Sequence, residues 1–350
     1  MRVVLVGTGV HPIPPTGYGG VERTLDEFAS ALRRADIPVR IFQEVRGERP
    51  FDEYRFAWNL RRRLHREDDE VVHASTPVVA QRLGAPEFPF VYTSHSRHWF
   101  VRTTWTDRWG YYLERRAVRR ASHVIALTPA VRAKIDTVLP VRNRPMVSTI
   151  PIGVDIERFS PPPTKGDPAI VLGVGVIAPW KRWHLAVDAL EGTALHLRLV
   201  GPVVDRSYAK ALEHRPNVTL VGEVSDSQLL EEYRRAGLLV HPSAVEVLPG
   251  AVLQALACGL PVIGGSAVAG LFEDGAQGRV LDDSSEERWV RDARTEMVRV
   301  AHDESLRTRW AEAARRWATD HYAWSVVAEA HRPVYESVAR ESDRLTARNG

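Results

Sequence analysis

Residues Leu238–Gly265, LLVHPSAVEVLPGAVLQALACGLPVIGG, constrain this chain more than any other stretch. The apolar run Leu238–Val240 reads as a strand that ends at the turn signal His241-Pro242. Pro249-Gly250 opens a window of good helix formers, and proline suits a first turn whose N–H has no partner anyway. Gly259 and Pro261 close that helix, and Val262-Ile263 resumes as a strand. Strand, helix and strand so closely joined specify a parallel pair with its crossover.

The loop and first turn of this unit hold its chemistry. Glu246 lies in the loop, and Gln254 follows Gly250 at i+4, one helical turn on. The amides of Gly250 and Ala251 and the helix dipole make that end a ready anion site, to which Pro249 adds no donor.

At 350 residues, 44% apolar and 26% charged, the chain suits two globular domains with substantial cores. The single cysteine, Cys258, excludes an internal disulfide and a cysteine-rich metal site. Met1-Arg2-Val3-Val4-Leu5-Val6 runs straight into Gly7 and reads as a strand, not a signal peptide, so a cytoplasmic location is expected. The uncharged stretch 251–272 contains four glycines and Pro261, which argues against a membrane span.

Charge is unevenly spread. Residues 1–160 carry 25 Lys and Arg against 18 Asp and Glu, or +7; the remainder carry 22 against 26, or −4. Arg61-Arg62-Arg63-Leu64-His65-Arg66 and Arg115-Arg116-Ala117-Val118-Arg119-Arg120 are the densest clusters, read first as solvated helix faces. Attraction to an anionic acceptor, or peripheral contact with an acidic membrane, is the sharper reading. No recognition motif supports a nucleic-acid partner.

From the N-terminus, a strand at 2–6 leads through the Gly- and Pro-rich loop Gly7–Gly20 to a helix whose spacing shows in Val21, Leu25, Phe28 and Leu32. Strands follow at 39–42, 70–73, 90–93, 123–128 and 147–150, with a helix over 105–120. Ser160-Pro161-Pro162-Pro163-Thr164-Lys165-Gly166-Asp167-Pro168 is the clearest linker. A second alternating half has strands at 170–176, 195–200 and 218–221, helices from Trp183 and through Tyr233, then the opening unit. Residues 286–316 read as helical with a polar face, and a helix runs from Trp324 through Val338. The fold class is therefore α/β, with parallel sheets covered by helices and ligands beyond the carboxyl ends of strands. Gly7–Gly20, His73–Thr76 and His95–Trp99 fall at such ends.

Glu246, Ala255, Ala257, Gly259, Leu260, Pro261 and Val262 resemble the nucleotide-sugar motif of family 4 glycosyltransferases, retaining enzymes of the GT-B fold. The family's second Glu is Gln254, which lacks charge assistance. Pro14-Pro15-Thr16-Gly17-Tyr18-Gly19-Gly20-Val21-Glu22 resembles the family's N-terminal loop, and Pro151-Ile152-Gly153-Val154-Asp155 its inter-domain signature. The resemblance implies two Rossmann-like domains facing each other across a cleft: 1–160 on the acceptor side, 161–324 binding the nucleotide-sugar, and 325–350 crossing back as a helix.

It also implies roles. Lys181 takes the phosphate lysine's place; the family's Arg is Val176, so Arg182 becomes the candidate second cation. Glu246 would contact donor sugar hydroxyls, helped by backbone groups of Leu248, Gly250 and Ala251; Gln254 would meet the ribose, and Gly19 and Gly20 the donor phosphate. His95 matches a histidine beside the reacting centre, and His11, Tyr18, His73, Arg97, His98 and Trp99 are acceptor-side candidates. No cofactor is expected beyond the nucleotide-sugar co-substrate, and no metal: Asp68-Asp69-Glu70 lacks a ligand-spacing partner and no Asp-x-Asp element occurs.

The implied activity is retaining transfer of a hexose from a UDP- or GDP-sugar to a small-molecule, glycan or lipid-linked acceptor. A nucleotide-sugar epimerase of the same fold is one alternative. A degenerate transferase that only binds nucleotide-sugar is the other, for which Val176 and Gln254 speak.

Overall fold

The computed structural model describes residues 1–14, 20–44, 52–64, 67, 69–83, 89–139 and 145–349, with only the backbone at 61 and 345–349. Tyr18 and Gly19 lie outside the described residues. The chain divides into two compact units, Met1–Gly153 with Trp324–Gly350, and Val154–Ala323.

Unit 1 holds β1 (Arg2–Val6), α1 (Gly20–Arg34), β2 (Val39–Phe42), α2 (Asp52–Arg63), β3 (Glu70–Ala74), α3 (Pro77–Leu83), β4 (Phe90–Ser94), α4 (Trp105–Arg120), β5 (His123–Ala126), α5 (Pro129–Val138) and β6 (Met146–Thr149). Its sheet is parallel, in the order β2-β1-β3-β4-β5-β6. Strands β1, β3, β4 and β5 are almost wholly buried, as expected for Val- and Ile-rich runs covered on both faces. The fifth strand stops at Ala126, short of the expected 128, because the Thr128 hydroxyl caps α5 by accepting from Val131 N, with Pro129 in the first turn. Thr104 and Asp107 form a capping box that starts α4 at Trp105.

Unit 2 holds β7 (Asp167–Val174), α6 (Trp183–Leu190), β8 (His196–Val200), α7 (Arg206–Glu213), β9 (Val218–Gly222), α8 (Asp226–Arg235), β10 (Ala236–His241), α9 (Gly250–Ala257), β11 (Val262–Gly264), β12 (Gly278–Val280), α10 (Glu286–His302) and α11 (Glu304–Tyr322). The parallel order is β12-β11-β10-β7-β8-β9. Trp183, Leu197, Leu199, Val240, Ile263, Trp289 and Met297 centre its core. The helical region 286–316 is two helices, because Asp303 ends α10 and its carboxylate caps Leu306 N of α11.

The last helix, α12 (Trp324–Asn349), belongs to unit 1 and runs past Val338, with Pro333 in its interior. It packs against α1, where the Trp324 ring stacks on Phe28 at 5.8 Å and its Nε1 donates to Glu27 at 2.9 Å. Gly153 makes room for that indole, since a Cβ there would lie 2.3 Å from the ring.

Candidate functional site

In unit 2 the chain runs from β7 outward through β8 and β9, then returns to β7's other side for β10, β11 and β12. Loops leaving the carboxyl ends of β7 and β10 therefore diverge, and such a switch point opens a crevice for ligands. Strand β7 sends Gly175–Arg182 there, and β10 sends His241–Gly250. The loops after β7 and β8 need glycine where they meet: Gly175 has φ +151° and Gly201 φ +146°, and a Cβ on Gly201 would sit 2.2 Å from the Gly175 carbonyl oxygen.

The two loops bring Lys181 and Glu246 together. Lys181 Nζ donates to Glu246 Oε1, and their side chains are only 15% and 18% exposed. His241, fully buried at the end of β10, places Nε2 3.4 Å from the same oxygen, and neither ring nitrogen has an aligned hydrogen-bond partner among the described residues. Burial favours the protonated form of Glu246, but His241 and Lys181 outweigh it and hold the carboxyl at about 2. Burial likewise lowers the His241 pKa, against the opposing pull of Glu246. A charged carboxylate thus stands beside a lysine in a partly dry crevice.

Arg182 is a brace. Its backbone is left-handed, with φ 52°. Its Nε donates to Pro242 O at 2.8 Å, and another guanidinium nitrogen to Asp283 Oδ2 at 3.2 Å. Asp283 also accepts from the Ser266 amide and hydroxyl, so one guanidinium ties together the loops after β7, β10, β11 and β12.

Helix α9 opens on Pro249 without a side-chain cap, and the Gly250 and Ala251 amides have no partner among the described residues. A Cβ on Gly250 would meet nothing within 4 Å, so the helix end stands open; Leu248 just before it is half-buried. One turn in, Gln254 Oε1 accepts from the buried Tyr233 hydroxyl at 2.9 Å. Its Nε2 has no partner among the described residues and is left to donate.

In unit 1 the corresponding switch point lies between β1 and β3. Thr8 donates to the buried Glu22 carboxylate at 2.5 Å, and Gln43 holds the loop through Gly9 N and the His11 carbonyl. Gly20, the first residue of α1, is open to added volume, and His11 is half-buried. His95 is half-buried after β4 with its imidazole pushed down to about 4 by burial, hence neutral near pH 7.

Two expected acceptor-side residues are core residues instead. His73 is 2% exposed, with Nδ1 at 2.8 Å from the Tyr335 hydroxyl and Nε2 at 2.7 Å from Thr93 Oγ1. Trp99 is 1% exposed and donates from Nε1 to Ser94 Oγ at 2.8 Å. Their partners come from residues that no local pattern reveals. Arg97 is exposed and lies 3.5 Å from Asp107; His98 turns the same way at 3.6 Å and sits against Gly110.

Three residues of interest carried no signal in the sequence reading. His241 read as part of a turn, although its position at a strand's carboxyl end could have marked it. Glu53, on α2, has a raised pKa caused by burial, which Thr76 partly offsets and Glu22 reinforces. Glu114 is fully buried beneath His95–Trp99; burial pushes it up to about 7 although Tyr92 and Ser94 both donate to it.

A family model described as Glycosyl transferases group 1 matches residues 155–317, and one described as Glycosyltransferase Family 4 matches residues 18–158. A GDP-mannose-dependent alpha-mannosyltransferase of Mycobacterium tuberculosis is 29% identical, across 94% of this chain and 87% of its own. A glycogen synthase of the same species is 28% identical over 77% of this chain and 69% of its own. Among solved structures, a sucrose-phosphate synthase from Thermosynechococcus elongatus aligns with TM-score 0.78 at 18% identity, over 97% of this chain and 100% of that one. Anabaena HepE in complex with UDP and glucose aligns with TM-score 0.73 at 20% identity, over 96% and 100%.

Proposed function

The chain belongs to the family 4 glycosyltransferases, of GT-B fold, and on that premise we propose that it moves a hexose from a UDP- or GDP-sugar to an acceptor hydroxyl with retention and without a metal ion. The observation that carries this reading is the meeting of Lys181, ionised Glu246 and the open amides of α9 at one switch-point crevice.

Breaking the anomeric C–O bond leaves a diphosphate whose growing charge must be met by fixed cations and oriented N–H groups. Lys181 supplies the cation and the α9 N-terminus the amides. Glu246 accepts from sugar hydroxyls while steering Lys181, and the Gln254 amide donates to the ribose. With Arg182 held as a brace, the phosphate role falls to Lys181 alone. For retention, the acceptor attacks the face the leaving group departs from, and a phosphate oxygen takes its proton. Among the described residues no group of three or more His, Cys, Asp and Glu could hold a metal ion. We assign acceptor recognition to unit 1, with His95, His11 and Arg97 as the side chains to test; Tyr18 belongs to the same expectation, and Gly19 with Gly20 to that of the donor phosphate. No helix among the described residues is long and apolar enough to cross a membrane.

GDP-mannose is the first donor to test, because the mannosyltransferase relative is named for it. A calorimetric screen of UDP-, GDP- and dTDP-sugars, followed by a transfer assay, decides the matter. Saturable binding of one donor, with nucleoside diphosphate released faster when acceptor is added, is the expected result. Binding of none would overturn the reading, and conversion of the donor sugar without any acceptor would replace it with an epimerase.

A further inference from the structure

The outer helical layer of unit 1 carries aromatic side chains in the open. Trp105 is 77% exposed, Trp58 67%, Tyr112 49%, Trp109 46% and Tyr54 38%. They form one patch. Trp109 Nε1 of α4 donates to the Tyr54 hydroxyl of α2 at 3.1 Å, and the Trp109 and Tyr112 rings stack with centroids 5.3 Å apart. Arg82 of α3 lies 4.2 Å over the Trp58 ring. Along α4, Trp105, Arg108, Trp109, Tyr112, Arg116 and Arg119 recur at three- and four-residue steps and so share a face. The two acids of α4, Asp107 and Glu114, are both turned inward and buried. Helix α2 adds exposed Arg55 and Arg62 beside Trp58.

A continuous exposed aromatic surface of this kind marks an interaction site. Its chemistry selects the partner. Trp and Tyr settle at the headgroup level of a bilayer, where the ring is half-immersed and its N–H or O–H stays wet. Arg55 pairs with Asp52 at 3.5 Å, whereas Arg62, Arg108 and Arg116 have no acidic partner among the described residues and are left to meet an anionic counter-surface. Arginine and aromatic rings on the outward side of one helix are the pattern of a helix lying in the interface plane.

We propose that the α2–α4 face of unit 1 docks on an anionic lipid surface, with Trp58, Trp105 and Trp109 at headgroup depth and Arg62, Arg108 and Arg116 against lipid phosphates. The surface belongs to unit 1, and the docking is read without nucleotide, so its failure would leave the transferase assignment untouched.

The test is co-sedimentation of the full chain with phosphatidylcholine vesicles and with vesicles that also contain phosphatidylglycerol. Binding is expected only to the second kind, and weaker at high salt because the attraction is screened. Arg108→Gln/Arg116→Gln should weaken it by about fivefold for each arginine removed. Trp105→Ser/Trp109→Ser should abolish it without lowering the melting temperature, since both side chains are exposed. Wild-type tryptophan emission should also shift to the blue on the anionic vesicles. No co-sedimentation at low salt, or wild-type binding by the tryptophan variant, would overturn the proposal. So would a concentration-dependent dimer that the tryptophan variant abolishes, which would make the patch a self-association surface.

Discussion

Lys181 and Glu246 stand 65 positions apart in sequence, yet they form the ion pair around which the crevice is organised. A pair this buried costs desolvation, and removing one partner leaves the other uncompensated. Gln254 is the residue whose chemistry departs from the family pattern. Tyr233 occupies one lone pair of its carbonyl oxygen, and its amide nitrogen is left to donate to a ribose. Gln254→Glu keeps an acceptor for Tyr233 and offers a second, charged oxygen to the diol. It should tighten nucleoside diphosphate binding by about 1 kcal/mol. Titrating wild type, Gln254→Glu and Gln254→Ala with the preferred nucleotide and its 2′-deoxy analogue checks this; if all three treat the two nucleotides alike, Gln254 is not at the ribose. Glu246 and Gln254 share the β10–α9 unit and Lys181 follows β7, and all three were legible because the family resemblance singled them out. His73 and Trp99 were not, because a histidine bonded to Tyr335 looks the same in sequence as one awaiting a substrate.

At the level of elements, the site depends on how tightly the loops after β7 and β8 approach each other. Gly201→Ala puts a methyl group against the Gly175 carbonyl and forces a residue with a side chain to φ +146°. Strain of this kind costs about 1–3 kcal/mol, and it falls on the loop that carries Lys181. A lower melting temperature together with roughly tenfold weaker donor binding is expected. Unchanged values for both would show that the loop yields without moving Lys181. Strands with β-branched runs were readable to within a few residues and α4 to the residue, but α5, capped by Thr128, was not read. The break between α10 and α11 was missed, because the apolar spacing continues through it and only the Asp303 cap interrupts the backbone. Of the basic clusters read as solvated helix faces, Arg61–Arg63 lie on α2 and Arg115–Arg120 on α4, but exposed tryptophans beside them change what those faces can meet.

For the whole molecule, connectivity is unequal. Unit 2 is one continuous segment, whereas unit 1 takes α12 from the far end of the chain. Trp324, Val327, Tyr335 and Val338 of that helix are buried in unit 1's core. Burying side chains of this size contributes about 1.5–3 kcal/mol each, so losing four approaches the 5–15 kcal/mol that holds a domain folded. A chain ending at Ala323 should therefore lose amide protection throughout β1–β6 while β7–β12 keep theirs in hydrogen exchange. Retained protection in β1–β6 would mean α12 is dispensable. The alternation of strand and helix in both halves was plain from the sequence, whereas the crossing of the last helix back to the first domain was implied only by the family resemblance, because sequence order hides the contacts that decide it. The measurement that bears most directly on function is turnover of Lys181→Ala at saturating donor, with its melting temperature recorded alongside. If Lys181 meets the leaving diphosphate, losing it removes about 3–4 kcal/mol of transition-state stabilisation, and turnover falls roughly 100- to 1,000-fold in a folded protein. Turnover within about threefold of wild type would show that the leaving group is stabilised elsewhere.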